Sequence, residues 1–178
     1  MTIDSIDVKK VEQICESFLE AWKNRSNVFF CGNGGSAGNA SHLVNDYIFG
    51  IGRSEFPGIR CESLSANPST ITCLANDVSY EEIFALQLKT LAQKGDILVA
   101  LSGSGNSKNI IRAIETANNL GMKTFAILGF DGGECKKIAH HPIHFEINDM
   151  QISEDMQLIV GHIIAQYLMK EIPLVGHS

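Results

Sequence analysis

The stretch VFFCGNGGSAGNASHLVNDYIFG, residues 28–50, restricts the fold of this chain more than any other. A short apolar run, a glycine-rich turn and an amphipathic pattern follow without a gap, which reads as strand, tight turn and helix. Gly32, Gly34 and Gly35 let the backbone turn sharply and approach a ligand, and Ser36 stands where a helix N-cap hydroxyl would. The first amides of such a helix lack backbone acceptors and the macrodipole adds partial positive charge, so the turn suits an anion. His42 and Asp46 follow on one face of the same helix, four residues apart. The unit offers an anion cradle followed by an acid–base or metal-ligating pair.

The same grammar returns further on. Residues 96–101, DILVAL, read as a strand buried on both faces of a parallel sheet, and they pass directly into SGSGNS at 102–107. Around these units the periodicity predicts a helix over 5–24, carrying Ile6, Val11, Ile14, Phe18 and Trp22 on one side. A short strand is expected at 60–64 within a loop, then a short helix at 69–75. A longer helix is expected over 79–93, opened by Ser79 and Glu82 as a capping box. The helix after SGSGNS runs to about 119, residues 123–128 form a strand, and GFDGGE turns into a short helix. The last strand is placed at 142–147. A final helix over 150–171 is closed by Pro173, leaving residues 173–178 as a loose tail.

Strands alternating with helices predict a single α/β domain, 1–178, built as a three-layer α/β/α sandwich around a central parallel sheet with right-handed crossovers. In such sheets ligands bind beyond the carboxyl ends of the strands, where both glycine–serine loops fall. The composition, 44% hydrophobic and 19% charged, is that of a soluble globular protein, and a formal charge of −6 argues against a nucleic-acid partner. Five scattered cysteines without a Cys-x-x-Cys pair read as reduced and mostly buried. With no basic-then-apolar leader and no run of about 18 apolar residues, a cytoplasmic protein with no membrane partner is expected.

Ser102, Ser104 and Ser107, with amides exposed by Gly103 and Gly105, suit a phosphate ester. The Gly-Lys-Ser/Thr ending that a nucleoside triphosphate would call for is absent. Gly32 to Ala37 does satisfy the G-x-G-x-x-A dinucleotide pattern, with Glu62 as the acid of the second strand, but that site leaves the second serine loop without a role. Each remaining polar residue also has an ordinary reading. His42 with Asp46 is a surface pair worth about 0.2–0.5 kcal/mol, His162 a core histidine, and Glu154 a helix N-terminal acid. His140, His141 and His144 read as structural or exposed.

GNGGSAGNASH, Ala75-Asn76-Asp77, SGSGNS after its strand, Leu128 to Gly133 and Leu158 to His162 occur in the order seen in sugar-isomerase (SIS) domain proteins. Within that superfamily the chain most resembles the phosphoheptose isomerases. The resemblance implies a homotetramer with active sites between subunits, one zinc per subunit, and interconversion of a ketose phosphate and an aldose phosphate. It places Asn33, Gly34, Gly35, Ser36, Asn76, Asp77, Ser102, Gly103, Ser104 and Ser107 at the sugar phosphate, and His42, Asp46, Glu154 and His162 around the metal. Positions 46 and 154 are Glu and Gln in the family and Asp and Glu here; Gly103 replaces a Thr.

Such an isomerisation moves a proton between the first and second sugar carbons through an enediol, so it needs a base, an acid and a group that polarises the carbonyl. Asp46 is the expected base and His162 the expected acid. A straight helix separates residues 154 and 162 by about 12 Å, so both reach one ion only if stretched or drawn from different subunits. The alternative is a non-catalytic SIS module, a phosphosugar sensor or tetrameric adaptor. Retention of 42, 46, 154 and 162 as ligand-type residues favours the enzyme.

Overall fold

Five strands, β1 (Val28–Gly32), β2 (Cys61–Ser63), β3 (Ile97–Ser102), β4 (Lys123–Leu128) and β5 (His141–His144), form one parallel sheet in the order β2-β1-β3-β4-β5. The computed structural model describes residues 7–53 and 55–176. Alternate strand residues face opposite layers, as the two-residue period of a strand requires. Val28 and Phe30 of β1, Ile97, Val99 and Leu101 of β3, and Phe125 and Ile127 of β4 enter one core, with α1 (Val8–Asn24), α2 (Gly35–Asn45) and α7 (Met150–Gly176). Phe29, Cys31, Leu98, Ala100, Ala126 and Leu128 enter the other. That core is covered by α3 (Pro68–Asp77), α4 (Ala85–Leu91), α5 (Lys108–Asn119) and α6 (Cys135–Ile138). This is the expected α/β/α architecture.

Two helices matter most for the site. α2 leaves the end of β1, and α7 packs along it through complementary surfaces. The Tyr47 hydroxyl, fully buried, donates to the Gly161 carbonyl at 2.8 Å. A Cβ at Gly161 would collide with the Leu43 methyls and stand 3.1 Å from its Cγ, so glycine is what lets the helices approach. Asn39 Nδ2 donates to the Glu154 carbonyl and to Gln157 Oε1, each at 3.0 Å, and Gln157 Nε2 donates to Ser36 Oγ at 3.0 Å. Every polar group in this seam has a partner, which limits the desolvation penalty of burying it.

Several local expectations are corrected. Ser36 is not the N-cap of α2. Gly34 holds that position at φ 55°, and the Ser36 hydroxyl is spent on Gln157. The capping box at Ser79 does not form, because Glu82 turns away to Arg112 Nε at 2.8 Å; residues 80–82 make a 3₁₀ turn and the helix proper starts at Ala85. The chain beyond α2 widens into a π turn over Asp46–Gly50, where the Ile51 amide reaches the Asp46 carbonyl. Of the predicted first helix, residues 5 and 6 lie outside the described residues; Asp7 caps the helix by accepting from the Lys10 amide.

Pro173 does not close α7, which continues to Gly176. The missing N–H orphans only the carbonyl four residues back, at Met169, which is 51% exposed and open to water. Meanwhile Ile172 is buried, and Phe56 packs on Gly176 and edge-to-face on Trp22, whose Nε1 donates to the Pro57 carbonyl at 2.8 Å. α7 is also long and apolar enough to cross a bilayer by length and composition. Here its stripe of Met156, Val160, Ile164 and Leu168 fills the first core, which accounts for its apolar character.

All five cysteines are free. Burial pushes the Cys15 thiol up to about 11 and those of Cys61 and Cys135 to about 12, so they are packing groups rather than nucleophiles. Cys73 departs from the expectation of burial, lying exposed on α3.

The α2–α7 seam predicts a specific weakness. Gly161→Ala forces overpacking against Leu43 and should destabilise the fold by about 1–3 kcal/mol, read as a lower denaturation midpoint in urea with an unchanged slope.

Candidate active site

In a sheet of this order the chain leaves β1 in one direction and β3 in the other, which opens a crevice between their carboxyl ends. The loops after those two strands and the start of α7 line a pocket of about 120 Å³ there, formed by Asn33, Ser36, Leu101, Ser102, Gly103, Ser104, Ser107, Met150 and Glu154. Both glycine–serine loops therefore meet at one place.

Loop 102–107 is held in shape by its own hydrogen bonds and by a second loop. The Gly105 amide donates to Ser102 Oγ at 3.1 Å and the Asn106 amide to Ser104 Oγ at 3.3 Å. Each of these hydroxyls already accepts a bond, so its proton is left to donate to a ligand oxygen. Ser107 heads α5 without using its side chain as a cap. Gly105 sits at φ 68° with the Gly132 carbonyl directly against it, a place only glycine fits. Residues 129–135 clamp the loop from behind: the Cys135 amide donates to the Gly105 carbonyl at 3.0 Å and the Glu134 amide to Asn106 Oδ1 at 3.1 Å. The donors are thus fixed before any ligand arrives.

Asn33 is positioned by residues that sequence reasoning missed. It exchanges two amide hydrogen bonds with Asn109, at 2.9 and 2.8 Å, and accepts from the Tyr80 hydroxyl at 2.9 Å. Asn109 is 1% exposed. An asparagine on the apolar face of an amphipathic helix, two residues after a serine loop, was the available signal. Gln157 and Asn39, which hold Ser36 and α7, left no comparable pattern.

The turn before α2 does not play the part expected of it. The Glu154 carboxylate lies against Gly35, so the positive end of α2 faces a side chain of the chain itself. This also disposes of the dinucleotide reading. Glu62 is exposed and pairs with Phe29 in mid-strand, while at the end of β2 Ser65 bonds the Gly32 backbone in both directions. Asn76 and Asp77 are likewise not brought to the pocket. They end α3 at the surface, where Asn76 Nδ2 donates to Asp77 Oδ1 at 2.7 Å and, with Cys73, holds the Asp77 carboxyl below its usual value.

His42, Asp46 and His162 do converge. His42 Nε2 lies 3.1 Å from His162 Nε2, and Asp46 Oδ2 lies 3.3 Å from the first and 3.4 Å from the second. Donors bound tetrahedrally at about 2.0–2.1 Å from zinc would be separated by about 3.3 Å, so two imidazoles and a carboxylate at these spacings fit that ion. Glu154 is not part of the group within one chain. The seven residues of α2 from Gly35 to His42 place the trio about 10 Å from it. His140, His141 and His144 are structural, as expected: His140 engages Thr124, His141 stacks on Phe125 at 4.9 Å, and His144 bonds the Phe130 carbonyl.

A doubly wound sheet with a serine loop at its switch point, and a cluster of two histidines and a carboxylate about 10 Å away on the α2–α7 pair, defines a class, and sequence comparison agrees. The SIS domain family model matches residues 3–129. The chain belongs to the SIS domain family and, within it, to the phosphoheptose isomerases, a group of isomerases. It is 37% identical to the phosphoheptose isomerase of Helicobacter pylori strain P12 over 154 residues, 86% of this chain and 80% of that one. Identity to the Akkermansia muciniphila phosphoheptose isomerase is 36% over 166 residues, 93% of this chain and 86% of the relative. The solved phosphoheptose isomerase from Neisseria gonorrhoeae superposes with a TM-score of 0.86 at 26% identity, covering 93% of this chain and 88% of that one. The one from Francisella tularensis shares the fold, with a TM-score of 0.87 at 24% identity.

Because two serine hydroxyls of the loop are presented as donors and a third is free, Ser104→Ala combined with Ser107→Ala should weaken sugar-phosphate binding at least tenfold in calorimetry. The circular dichroism spectrum should not change, since neither hydroxyl supports the core.

Proposed function

We propose that this chain is an aldose–ketose isomerase acting on a sugar phosphate, converting sedoheptulose 7-phosphate to a heptose 7-phosphate. The observation that carries the reading is the convergence of His42, Asp46 and His162, from α2, the turn after it and α7, on the same molecule as a preformed serine loop. The hydroxyls of Ser102, Ser104 and Ser107 and the first amides of α5 hold the phosphate, with Asn33 beside them. Asp46 takes the proton from one sugar carbon and His162 returns one to its neighbour, which an enediol pathway requires. Zinc held by His42, Asp46 and His162 would supply polarisation of the sugar carbonyl.

The assembly is a homotetramer in which the phosphate pocket of one subunit faces the trio of another. The 10 Å gap within the chain supports this, and so does the apolar character of the surface near the trio, where Ile48 is 51% and Phe49 62% exposed. Across that boundary Glu154 joins the metal group, which reconciles the four-residue set with the length of helix between 154 and 162. Asn76 and Asp77, at the surface of α3, are free to meet substrate there. The protein works in the cytoplasm, and its product feeds bacterial lipopolysaccharide or capsule synthesis.

A mixing experiment tests site and assembly together. His162→Gln should lower turnover of sedoheptulose 7-phosphate by at least about 10²-fold, as should the Ser104/Ser107 double alanine variant. Coexpressed, the two inactive chains should recover part of the activity, because mixed tetramers rebuild some intact sites; no recovery would put pocket and trio in one subunit. Chelation should abolish turnover and added zinc restore it. If wild type binds the sugar phosphate without turning it over, the chain is a binding module instead.

A further inference from the structure

The phosphate pocket is small, about 120 Å³, and a single long apolar side chain at the start of α7 helps to bound it. Met150, the first residue of α7, lines it beside Ser104, Ser107 and Glu154. Its thioether lies directly over Gly103. A Cβ at that glycine would collide with the sulfur, stand 3.2 Å from the Met150 Cε and 3.9 Å from Phe130 Cε2. The φ of Gly103 is not in the left-handed region, so the backbone alone does not call for glycine there. What calls for it is the methionine.

A second hollow, of about 470 Å³, adjoins the pocket at Ser104 and is lined by Ser104, Asn106, Phe130, Asp131, Glu146 and Asn148. Ser104 belongs to both spaces. Met150 lines only the small one and Phe130 only the large one, and the two side chains stand together over Gly103. The backbone beneath Met150 is anchored, with Asp149 Oδ1 accepting the Ile152 amide at 3.0 Å and the Asp149 carbonyl accepting the Ser153 hydroxyl at 2.6 Å. Its side chain, 40% exposed, is an unbranched thioether on this fixed base.

We propose that Met150, seated on Gly103, is a specificity-determining partition. It closes the serine pocket to the size of a terminal phosphate and excludes esters that carry a second organic arm on phosphorus. The proposal rests on the phosphate-pocket reading above. A terminal phosphate needs room for its oxygens alone, which the serine hydroxyls and α5 amides surround. A diester has a further substituent that must leave the pocket, and the hollow that shares Ser104 with it offers the space. The acids there, Asp131 and Glu146, offer nothing to a second phosphate oxygen but can accept hydroxyl protons from an organic arm.

The test compares glycerol 3-phosphate, a monoester, with glycerophosphocholine, a diester, by calorimetry on the full chain. Wild type should bind the monoester at least tenfold more tightly than the diester. Met150→Ala should shrink that ratio at least fivefold by opening the partition. Gly103→Ala should shift it in the same direction, because its methyl group expels the sulfur, while Met150→Leu, which refills the space, should keep the wild-type ratio. A ratio unchanged in Met150→Ala while the monoester still binds overturns the proposal alone. A wild-type protein that binds neither ester overturns the phosphate-pocket reading and this proposal with it.

Discussion

The meeting of His42, Asp46 and His162 depends on the close parallel packing of α2 on α7. The seam has an apolar half and a polar half. Gly161 admits Leu43, and the Tyr47 hydroxyl donates to the Gly161 carbonyl; nearer the sheet end, Asn39, Gln157 and Ser36 form a relay of hydrogen bonds. Because glycine at 161 lets the backbones approach, His162 on the next position meets His42 and Asp46 on the facing helix. The same contact sets Glu154 against Gly35 at the other end. A shift of one turn, about 5.4 Å, would separate the trio altogether.

The sheet supplies the second constraint. Its strands alternate between two apolar cores, and the order of the strands leaves a crevice between β1 and β3. The serine loop falls into that crevice and is clamped there by residues 129–135. The clamp matters electrostatically. Hydroxyl donors that are already aligned do not have to reorganise when an anion arrives, which is where preorganised sites gain over water.

Glu154 is the residue that runs against this logic, since a carboxylate lines a pocket whose donors suit an anion. The repulsion is tempered because the carboxylate lies at the positive end of α2.

Residue order alone was enough for the layers and for the place of the loops, because strand and helix periods and the glycine punctuation are local properties. The pairing of His42 with Asp46 was legible for the same reason, as two positions on one helical turn. The resemblance to SIS proteins extended that reading to His162 and Glu154. What local pattern could not express is which distant side chain takes an available bond. The Ser36 hydroxyl accepts from Gln157 rather than capping α2, Glu82 turns to Arg112 rather than to its own helix, and Glu154 occupies the anion position that the glycine turn before α2 offers. Pro173 fails to stop α7 because Ile172 and the Phe56 contact hold the last turn in place. In each case a partner more than twenty residues away offers a better contact than the local one, and only the packed fold decides which contact is made.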